Sequence, residues 1–213
     1  MLIGLSGCKG VGKDTAAQWL IEEQGYTRLA FADKLKEAVA NLLDISVEEV
    51  DNFKAVSSEG WITRKPSDPL PQPTTFVVVK QGGIFESEMS WREFLQRFGT
   101  EMGRNTFGQD FWIEQWIQSL SQLKTTGYDI ASGGLPSVVV TDVRFENEAK
   151  AIKLYDGYII EITRPGYKPD GHASEDPIPS ILVDATVRNE SNLEDFKSRF
   201  LATVEGLSMG IVA

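Results

Sequence analysis

Two residue types that build many enzyme sites are almost absent from this chain. Its single cysteine, Cys8, excludes a disulfide within the chain and fits a reducing cytoplasm. Its single histidine, His172, has Glu175 nearby but no further partners at metal-ligand spacing, which excludes a zinc site of the usual kind. We therefore interpret Cys8 as a small filler residue and expect neither thiol nor zinc chemistry.

Positive charge is also scarce. The 213 residues include 21 Lys and Arg against 31 Asp and Glu, which gives a net charge of −10. Such a chain has no general attraction to nucleic-acid polymers or anionic membranes. No apolar run approaches the length of a membrane span, and no charged-then-apolar leader precedes the first strand. We therefore expect a cytoplasmic protein whose partners are small molecules, held by local clusters of Lys and Arg.

The order of apolar segments predicts the fold class. Units of strand followed by helix recur along the chain, which is typical of a parallel sheet covered by helices. The length allows one α/β domain over residues 1–213 with a subsidiary element. We expect an insertion at about 55–89, in which 75–79 and 82–85 pair as a hairpin. A segment rich in Pro, Gly, Asp and Ser, about 164–180, is a candidate lid, with an exposed flexible loop as the alternative.

The glycine-rich stretch 7–15 carries the main functional signal. It follows an apolar run and precedes a segment of helical character, which is the context of a phosphate-binding loop. Its glycines let backbone N–H groups surround an anion, and Lys13 can reach the outer phosphates of a triphosphate. Asp14 stands where Ser or Thr is usual, and the hydroxyl follows at Thr15. An ordinary glycine-rich turn is the alternative to this nucleotide-binding interpretation.

A second polar cluster follows the apolar run 137–141. Such a run predicts a strand buried on both faces, and ligands gather outside the carboxyl ends of such strands. Asp142 and Arg144 come at this end, where a carboxylate can orient Mg²⁺ through water and an arginine can clamp phosphate. An internal ion pair between Asp142 and Arg144 is the competing interpretation.

A helix that starts near Trp91 has two different faces. Its apolar positions predict a core face: Trp91, Phe94, Leu95, Phe98 and Met102. Another face carries Arg92, Gln96 and Gly99, with Thr100 and Arg104 just beyond. Because a solvated face rarely uses glycine, we expect this face to contact a ligand, with a solvated face as the alternative.

Further local signals predict the ends of other elements. We expect a helix over 13–24 that ends at Gly25, a strand over 26–31, a helix over about 107–123 and a last short strand over 180–184. Within the 107–123 helix only Trp112 is a candidate for stacking on a base. We expect Asp33, Ser46, Ser90 and Ser191 to cap helices, with Glu at the fourth position of each Ser-initiated capping box. Lys34 follows a predicted strand end, where a substrate contact and a surface lysine are equally expected.

Several of these motifs recur in one known family. The chain resembles phage deoxynucleoside monophosphate kinases in Gly7-x-x-x-x-Gly12-Lys13-Asp14-Thr15, in Arg92-x-x-x-Gln96-x-x-Gly99-Thr100-Glu101, in Trp112 and in Asp142-Val143-Arg144-Phe145-Glu146-Asn147-Glu148. Arg164-Pro165-Gly166, His172-Ala173-Ser174-Glu175 and Asn189 follow in the same order. The resemblance covers nearly the whole length and is weakest across the insertion.

The resemblance implies a fold and a reaction. The fold would be that of a P-loop kinase: a five-stranded parallel sheet flanked by helices, with a monophosphate-binding insertion and a lid. The reaction would be transfer of phosphate from ATP, with Mg²⁺, to a deoxynucleoside 5′-monophosphate, with both nucleotides end to end in one cleft. The protein would work in the cytoplasm, that of the host if a phage encodes it. Whether it forms a homodimer is left open.

The resemblance also implies roles for individual residues. Around the ATP phosphates it places Gly10, Val11, Gly12, Lys13, Asp14 and Thr15, with Arg164 and Asn189 towards the ATP side. Around the acceptor it places Lys34, Arg92, Gln96, Gly99, Thr100, Arg104, Trp112, Asp142, Arg144 and Glu148. Lys13, Arg92, Arg144 and Asp142 would be catalytic, and Thr15 and Asp142 would lie near Mg²⁺. The lid has few arginines, with Arg164 and Arg188 the nearest.

Two other functions fit the phosphate loop. A kinase for another phosphorylated acceptor, such as dephospho-coenzyme A, would share the loop and the lid. A P-loop module that binds nucleotide without transferring phosphate would share only the loop. Against the second alternative, the chain has no N-K-x-D-like element for guanine, and the arginine-bearing helix face would have no purpose.

Overall fold

The structure, a computed structural model, describes residues 1–56, 78–80, 83–85, 91–125, 136–167 and 177–210. The chain divides into two compact units, one of residues 1–31 and 113–213 and one of residues 32–112. The predicted insertion at 55–89 lies within the second unit.

The strands and helices alternate along most of the chain. The strands are β1 (Leu2–Ser6), β2 (Thr27–Arg28), β3 (Val78–Lys80), β4 (Gly83–Phe85), β5 (Val138–Val140), β6 (Tyr158–Thr163) and β7 (Ala185–Arg188). The α-helices are α1 (Lys13–Gln24), α2 (Ala32–Leu43), α3 (Val47–Val56), α4 (Trp91–Arg97), α5 (Asn105–Phe107), α6 (Phe111–Thr125), α7 (Glu146–Leu154) and α8 (Leu193–Ser208). A π-helix spans Phe98–Arg104, and a 3₁₀ turn spans Ser180–Leu182.

The first unit is built on a parallel sheet. Its five strands lie in the order β2-β5-β1-β6-β7, and every neighbouring pair is parallel. Side chains of α1 and α8 pack on one face of the sheet, and side chains of α6 and α7 pack on the other. All residues of β1 and β5 are buried, as expected for central strands with helices on both faces. The predicted five-stranded parallel sheet is confirmed.

The second unit has its own small core around Trp91. The indole of Trp91 is fully buried, and its Nε1–H donates to the carbonyl oxygen of Val50 at 2.8 Å. Leu35, Val39 and Phe94 pack in the same cluster. β3 and β4 pair as an antiparallel hairpin, which confirms the predicted hairpin at a narrower range.

Two predicted helix ends are confirmed in detail. α1 ends at Gly25, whose φ of 68° and N–H bond to Leu20 close the helix. Ser46 and Glu49 form the predicted capping box of α3: the Ser46 N–H donates to Glu49 Oε2 at 2.7 Å, and the Glu49 N–H donates to Ser46 Oγ at 3.1 Å. Hydrogen bonds donated to the Glu49 carboxylate by the Ser46 backbone N–H and, to a lesser extent, by the Ser46 side chain lower the pKa of this carboxyl.

The predicted core face of the Trp91 helix is wrong at Met102, which is 53% exposed. The reason is a change of helix type, because α4 gives way to the π-helix at Phe98. A π-helix has more residues in each turn than an α-helix, so an apolar stripe counted at α-helical spacing leaves the core.

The predicted helix at 107–123 is also wrong at its start. α5 ends at Phe107, and Gly108, with φ of 117°, separates it from α6. The helix that carries Trp112, Trp116 and Leu120 therefore begins at Phe111.

Four smaller predictions are corrected. β2 is shorter than 26–31, and α2 begins at Ala32, so Asp33 lies in its first turn rather than at its cap. The predicted strand at 180–184 is a 3₁₀ turn, because the N–H groups of Leu182 and Val183 bond to Pro179 and Ser180. Asn192, rather than Ser191, caps α8 and accepts from the Asp195 N–H at 2.9 Å.

Some predictions fall outside the described residues. These are the Ser90 cap and, within the candidate lid, His172, Ser174 and Glu175. Within the part of the chain that is described, no helix has the length and hydropathy to cross a bilayer.

The packing of α8 gives a stability prediction. Phe200 of α8 is fully buried between Trp19 and Phe196, whereas Leu193 at the start of the same helix is 63% exposed. We expect Phe200→Ala to lower the free energy of unfolding by about 3–5 kcal/mol, because it leaves a cavity. Leu193→Ala, the control, should cost less than about 1 kcal/mol. Urea denaturation measures both, and equal losses would contradict the packing.

Candidate functional site

The phosphate-loop sequence forms a tight turn between β1 and α1. Gly7 and Gly12 have φ of 126° and 111°, a region that side chains other than glycine rarely adopt. A Cβ at Gly7 would collide with the carbonyl oxygen of Ile162. A Cβ at Gly12 would lie 2.9 Å from Asn189 Nδ2 and 3.0 Å from the Phe196 ring. Backbone conformation and space therefore both require glycine at these two positions.

Four carbonyl groups of the loop accept hydrogen bonds from identified donors. Lys13 Nζ donates to Gly7 O at 2.6 Å and to Cys8 O at 2.8 Å. The Val11 carbonyl accepts from Asn189 Nδ2 at 2.9 Å, and the Gly12 carbonyl accepts the first helical bond of α1, from Ala16 N, at 2.9 Å. Hydrogen bonds within the first unit therefore fix the orientation of these four peptide groups.

The start of α1 suits an anion. Gly12 is its N-cap and provides no capping side chain, so the helix begins with an uncapped positive dipole end. Lys13 lies in the first turn, and Asp14 and Thr15 are exposed beside it. These residues fit a polyphosphate at the position that the sequence predicts.

Tyr167 covers the middle of the loop and was not found from the sequence. A Cβ at Gly10 would lie 2.7 Å from the Tyr167 ring. The Arg164 guanidinium lies over the same ring, 5.1 Å from its centroid. The structure therefore brings Arg164 to the loop through an aromatic residue. Tyr167 follows the Arg164-Pro165-Gly166 turn directly, but no local sequence pattern indicates its contact with a loop so distant in the chain.

Asp142 and Arg144 emerge beside the loop. β5 pairs with β1 so that Val140 lies opposite Gly4, and the Val143 N–H donates to the Leu5 carbonyl at 3.2 Å. The chain after β5 therefore leaves the same edge of the sheet as the loop after β1. Asp142 Oδ1 accepts from the Phe31 N–H at 2.9 Å, which ties the end of the neighbouring segment to this edge.

Glu148 supports the backbone behind Arg144. It is only 3% exposed, and its Oε2 accepts from the N–H groups of Arg144 at 2.8 Å and Phe145 at 3.1 Å. A buried carboxylate is stabilised by such hydrogen bonds, and the bond from the Phe145 N–H satisfies the N-cap backbone donor at the start of α7. These two contacts are with the backbone, so they fix the path of the chain at Arg144. The role of Glu148 towards a substrate stays a prediction.

The other predicted substrate residues belong to the second unit. Lys34 lies on α2, while Arg92 and Gln96 lie on α4, and all three are partly exposed. Thr100 lies on the π-helix, half-buried. Arg104, at the end of that helix, is buried, and its Nη1 donates to the Gln109 carbonyl at 3.1 Å. Arg92 and Gln96 lie one turn apart on α4, whereas Gly99 lies beyond it in the π-helix, and the ligand of Arg92 and Gln96 stays a prediction.

Packing within the protein explains two residues, Gly99 and Trp112, that the sequence assigns to ligand contact. A Cβ at Gly99 would lie 2.6 Å from Leu35 Cδ1, so the close neighbour that requires glycine is α2. Trp112 is 7% exposed, and its Nε1–H donates to the Gly99 carbonyl at 2.8 Å. Its ring also lies against Gly103, where a Cβ would collide with it. Little of this ring is left to stack on a base.

Divalent metal can be tested against the same residues. In the described part of the chain, no three Asp, Glu, His or Cys side chains converge as a metal site. Thr15 and Asp142 both lie in the first unit, next to the loop and to the end of β5. These oxygens fit Mg²⁺ that takes its other ligands from phosphate and water, as Mg²⁺ at nucleotide sites usually does.

Comparison with known proteins agrees with this arrangement. The family model described as deoxynucleotide monophosphate kinase matches residues 72–200. The chain is 32% identical over 213 residues to a candidate deoxynucleotide monophosphate kinase of Acanthamoeba polyphaga mimivirus, covering 98% of both chains. It is 22% identical over 250 residues to the deoxynucleotide monophosphate kinase of Enterobacteria phage T4, covering 97% of this chain and 99% of the other.

Solved structures give a weaker similarity. Dephospho-CoA kinase from Campylobacter jejuni matches with a TM-score of 0.48 and 13% identity, over 98% of both chains. Similarity at this level does not distinguish between phosphate acceptors.

The two demands on Gly12 can be separated by mutation. At Gly12 the backbone φ is positive, and an added Cβ would press against Asn189 and Phe196. At Gly25 the φ is also positive, at 68°, but an added Cβ would meet open space. We expect Gly25→Ala to cost about 1 kcal/mol of unfolding free energy from backbone strain alone. Gly12→Ala should cost about 1–2 kcal/mol more, because the neighbours must move. Chemical denaturation tests this, and equal losses would mean that the loop is not confined by its neighbours.

Proposed function

Because the chain belongs to the deoxynucleotide monophosphate kinase family, we propose that it transfers the terminal phosphate of ATP to a deoxynucleoside 5′-monophosphate. The products are ADP and the deoxynucleoside diphosphate. The observation that carries the proposal lies within the first unit. The phosphate loop and the Asp142–Arg144 segment leave adjacent parallel strands at the same edge of the sheet. Such an edge is where α/β proteins bind nucleotides.

The loop residues 7–15 hold the donor phosphates. Backbone N–H groups and the start of α1 supply partial positive charge, and Lys13 supplies a full charge. The Lys13 ammonium donates to the neutral carbonyls of Gly7 and Cys8. A triphosphate offers anionic oxygens instead, which form stronger, charge-assisted hydrogen bonds. Lys13 therefore exchanges its carbonyl partners for phosphate when the donor binds.

Transfer requires alignment and charge neutralisation rather than a strong base. An oxygen of the acceptor phosphate, already anionic, bonds to the terminal phosphorus of ATP, and the bond from that phosphorus to the bridging oxygen breaks. The electron pair of that bond leaves with ADP. The Arg144 guanidinium stabilises the charge that is spread over the transferred group. Glu148 accepts hydrogen bonds from the backbone N–H groups of Arg144 and Phe145, so the arginine starts from a fixed position.

Mg²⁺ bound with ATP would neutralise charge on the donor phosphates. Thr15 and Asp142, the latter through water, are the residues that would hold it. Asp142 is already oriented by the Phe31 N–H, which reduces the cost of presenting its carboxylate.

In the proposed reaction a separate set of polar residues holds the acceptor nucleotide. Arg92 binds its phosphate, and Lys34, Gln96, Thr100 and Arg104 supply further polar contacts. Arginine suits this role because its fork matches two phosphate oxygens at once. The substrates are free nucleotides, and we place the reaction in the cytoplasm.

An acceptor screen tests the function directly. The purified chain is incubated with ATP and Mg²⁺ and with each of the four deoxynucleoside and four ribonucleoside monophosphates, and with dephospho-coenzyme A. We expect new diphosphate, detected by chromatography, with at least one deoxynucleoside monophosphate. Transfer to dephospho-coenzyme A alone would instead support the other kinase. Tight binding of ATP without transfer to any acceptor would support a nucleotide-binding module.

Arg144 can be tested against a matched arginine. Arg144→Ala should lower kcat by about 10²–10³-fold, because the charge of the transferred group loses its partner. Arg199 of α8 pairs with Glu190 through a hydrogen bond of 3.1 Å and serves as the control. Arg199→Ala removes the same charge, so it should leave kcat within about twofold. Steady-state assays measure both, and unchanged turnover in Arg144→Ala would remove Arg144 from the mechanism.

A further inference from the structure

Asn189 connects the sheet to the phosphate loop. Its backbone N–H donates to the Thr163 carbonyl at 2.8 Å, at the end of β6. Its side-chain Nδ2 donates to the Val11 carbonyl at 2.9 Å. One residue is therefore anchored to the strand ladder by its backbone and holds the loop with its side chain.

We propose that Asn189 is a positioning residue that keeps the phosphate loop in its anion-binding shape, and that it acts through Val11 rather than by contact with the nucleotide base. The proposal rests on the proposed role of the loop in binding the donor phosphates. The resemblance implies only that Asn189 lies towards the ATP side. A residue that acts through the loop would instead affect the binding of any polyphosphate equally, with or without a base.

The Val11 carbonyl needs a fixed partner because of the anion. A loop that binds phosphate must direct its N–H groups inward, and so its carbonyl groups must point elsewhere. A peptide that turned its carbonyl towards the ligand would place a negative dipole against phosphate. The Val11 carbonyl accepts from Asn189, and this bond holds the Val11–Gly12 peptide immediately before Lys13.

The other carbonyl partners in the loop differ from Asn189. Gly12 O is held by the first helical bond of α1, which needs no side chain. Gly7 O and Cys8 O are held by Lys13, which leaves them when it binds phosphate in the proposed reaction. The bond from Asn189 to Val11 O involves neither Lys13 nor an anion, so in the proposed reaction it can hold the loop while Lys13 is engaged elsewhere.

The contact also depends on the amide group itself. Val11 O only accepts hydrogen bonds, so the nitrogen of the Asn189 amide must face it. The same nitrogen lies where a Cβ at Gly12 would be 2.9 Å away, so the amide packs directly on the loop. An aspartate of the same size would place a carboxylate oxygen against the carbonyl and add negative charge near the phosphates.

Binding of a ligand without a base separates the alternatives. Isothermal titration calorimetry with Mg²⁺ measures the affinity of the full chain for ATP and for inorganic tripolyphosphate. We expect Asn189→Ala to weaken both ligands by the same factor, about tenfold, the effect of one lost hydrogen bond. Asn189→Asp should weaken both further. It keeps the size of the side chain, so it provides the same test if Asn189→Ala is unstable.

Asn192 is a matched control in the same segment. Its side chain caps α8 by accepting from the Asp195 N–H at 2.9 Å. Asn192→Ala should lower thermal stability through the lost cap, and it should leave both affinities within about twofold. Affinity for the acceptor monophosphate, measured alone, should stay unchanged in the Asn189 variants.

Each other outcome overturns the proposal. Loss of ATP affinity with unchanged tripolyphosphate affinity would mean that Asn189 contacts the base or sugar. Unchanged affinity for both would mean that the Val11 contact has no effect on the loop. An equal loss for the acceptor would indicate a general structural defect. If the wild-type chain binds neither ATP nor tripolyphosphate, the proposed donor function fails first and this role fails with it.

Discussion

The parallel pairing of β1 between β5 and β6 is the constraint on which the site depends. Because all three strands run in the same direction, the segments that follow them leave the sheet at one edge. The loop after β1 supplies Lys13, the segment after β5 supplies Asp142 and Arg144, and the segment after β6 supplies Arg164. Residues more than 100 positions apart in the chain therefore follow strands that end at the same edge of the sheet.

Backbone hydrogen bonds then convert this common edge into a fixed site. Asp142 accepts from the Phe31 N–H, Glu148 accepts from the Arg144 N–H, and Asn189 donates to the Val11 carbonyl. Asp142 and Asn189 each tie their own segment to a distant one, and Glu148 fixes the backbone just before its own helix. A site assembled in this way is oriented before ligand binds, which lowers the cost of alignment in a transfer that depends mainly on geometry and charge.

The accuracy of prediction from sequence followed the range of the interactions involved. The strand-to-helix turn at 7–15, the end of α1 at Gly25 and the capping box at Ser46 are local patterns, and the structure has all three. The anion-binding role of the turn stays a prediction. The predicted strand over 180–184 is wrong because two interactions set where β7 begins. One is the 3₁₀ turn that starts after Pro179, and the other is the pairing of β7 with β6. The contact of Tyr167 with Gly10 joins segments more than 150 residues apart, and no local pattern indicates it.

The π-helix at Phe98–Arg104 shows how such a long-range effect reaches the predicted acceptor residues. A π-helix is less stable than an α-helix and persists where the surrounding structure supports it, often at functional sites. Here the Trp112 indole donates to the Gly99 carbonyl at 2.8 Å, and glycines at 99 and 103 let Leu35 and Trp112 approach the backbone. The sequence showed an arginine-bearing helix with a glycine and an aromatic residue that suggested a ligand. In the structure, Gly99 and Trp112 instead support the π-helix that carries Thr100 and Arg104. Residues that resemble ligand contacts in the sequence can therefore act indirectly. They hold the backbone from which the polar side chains project.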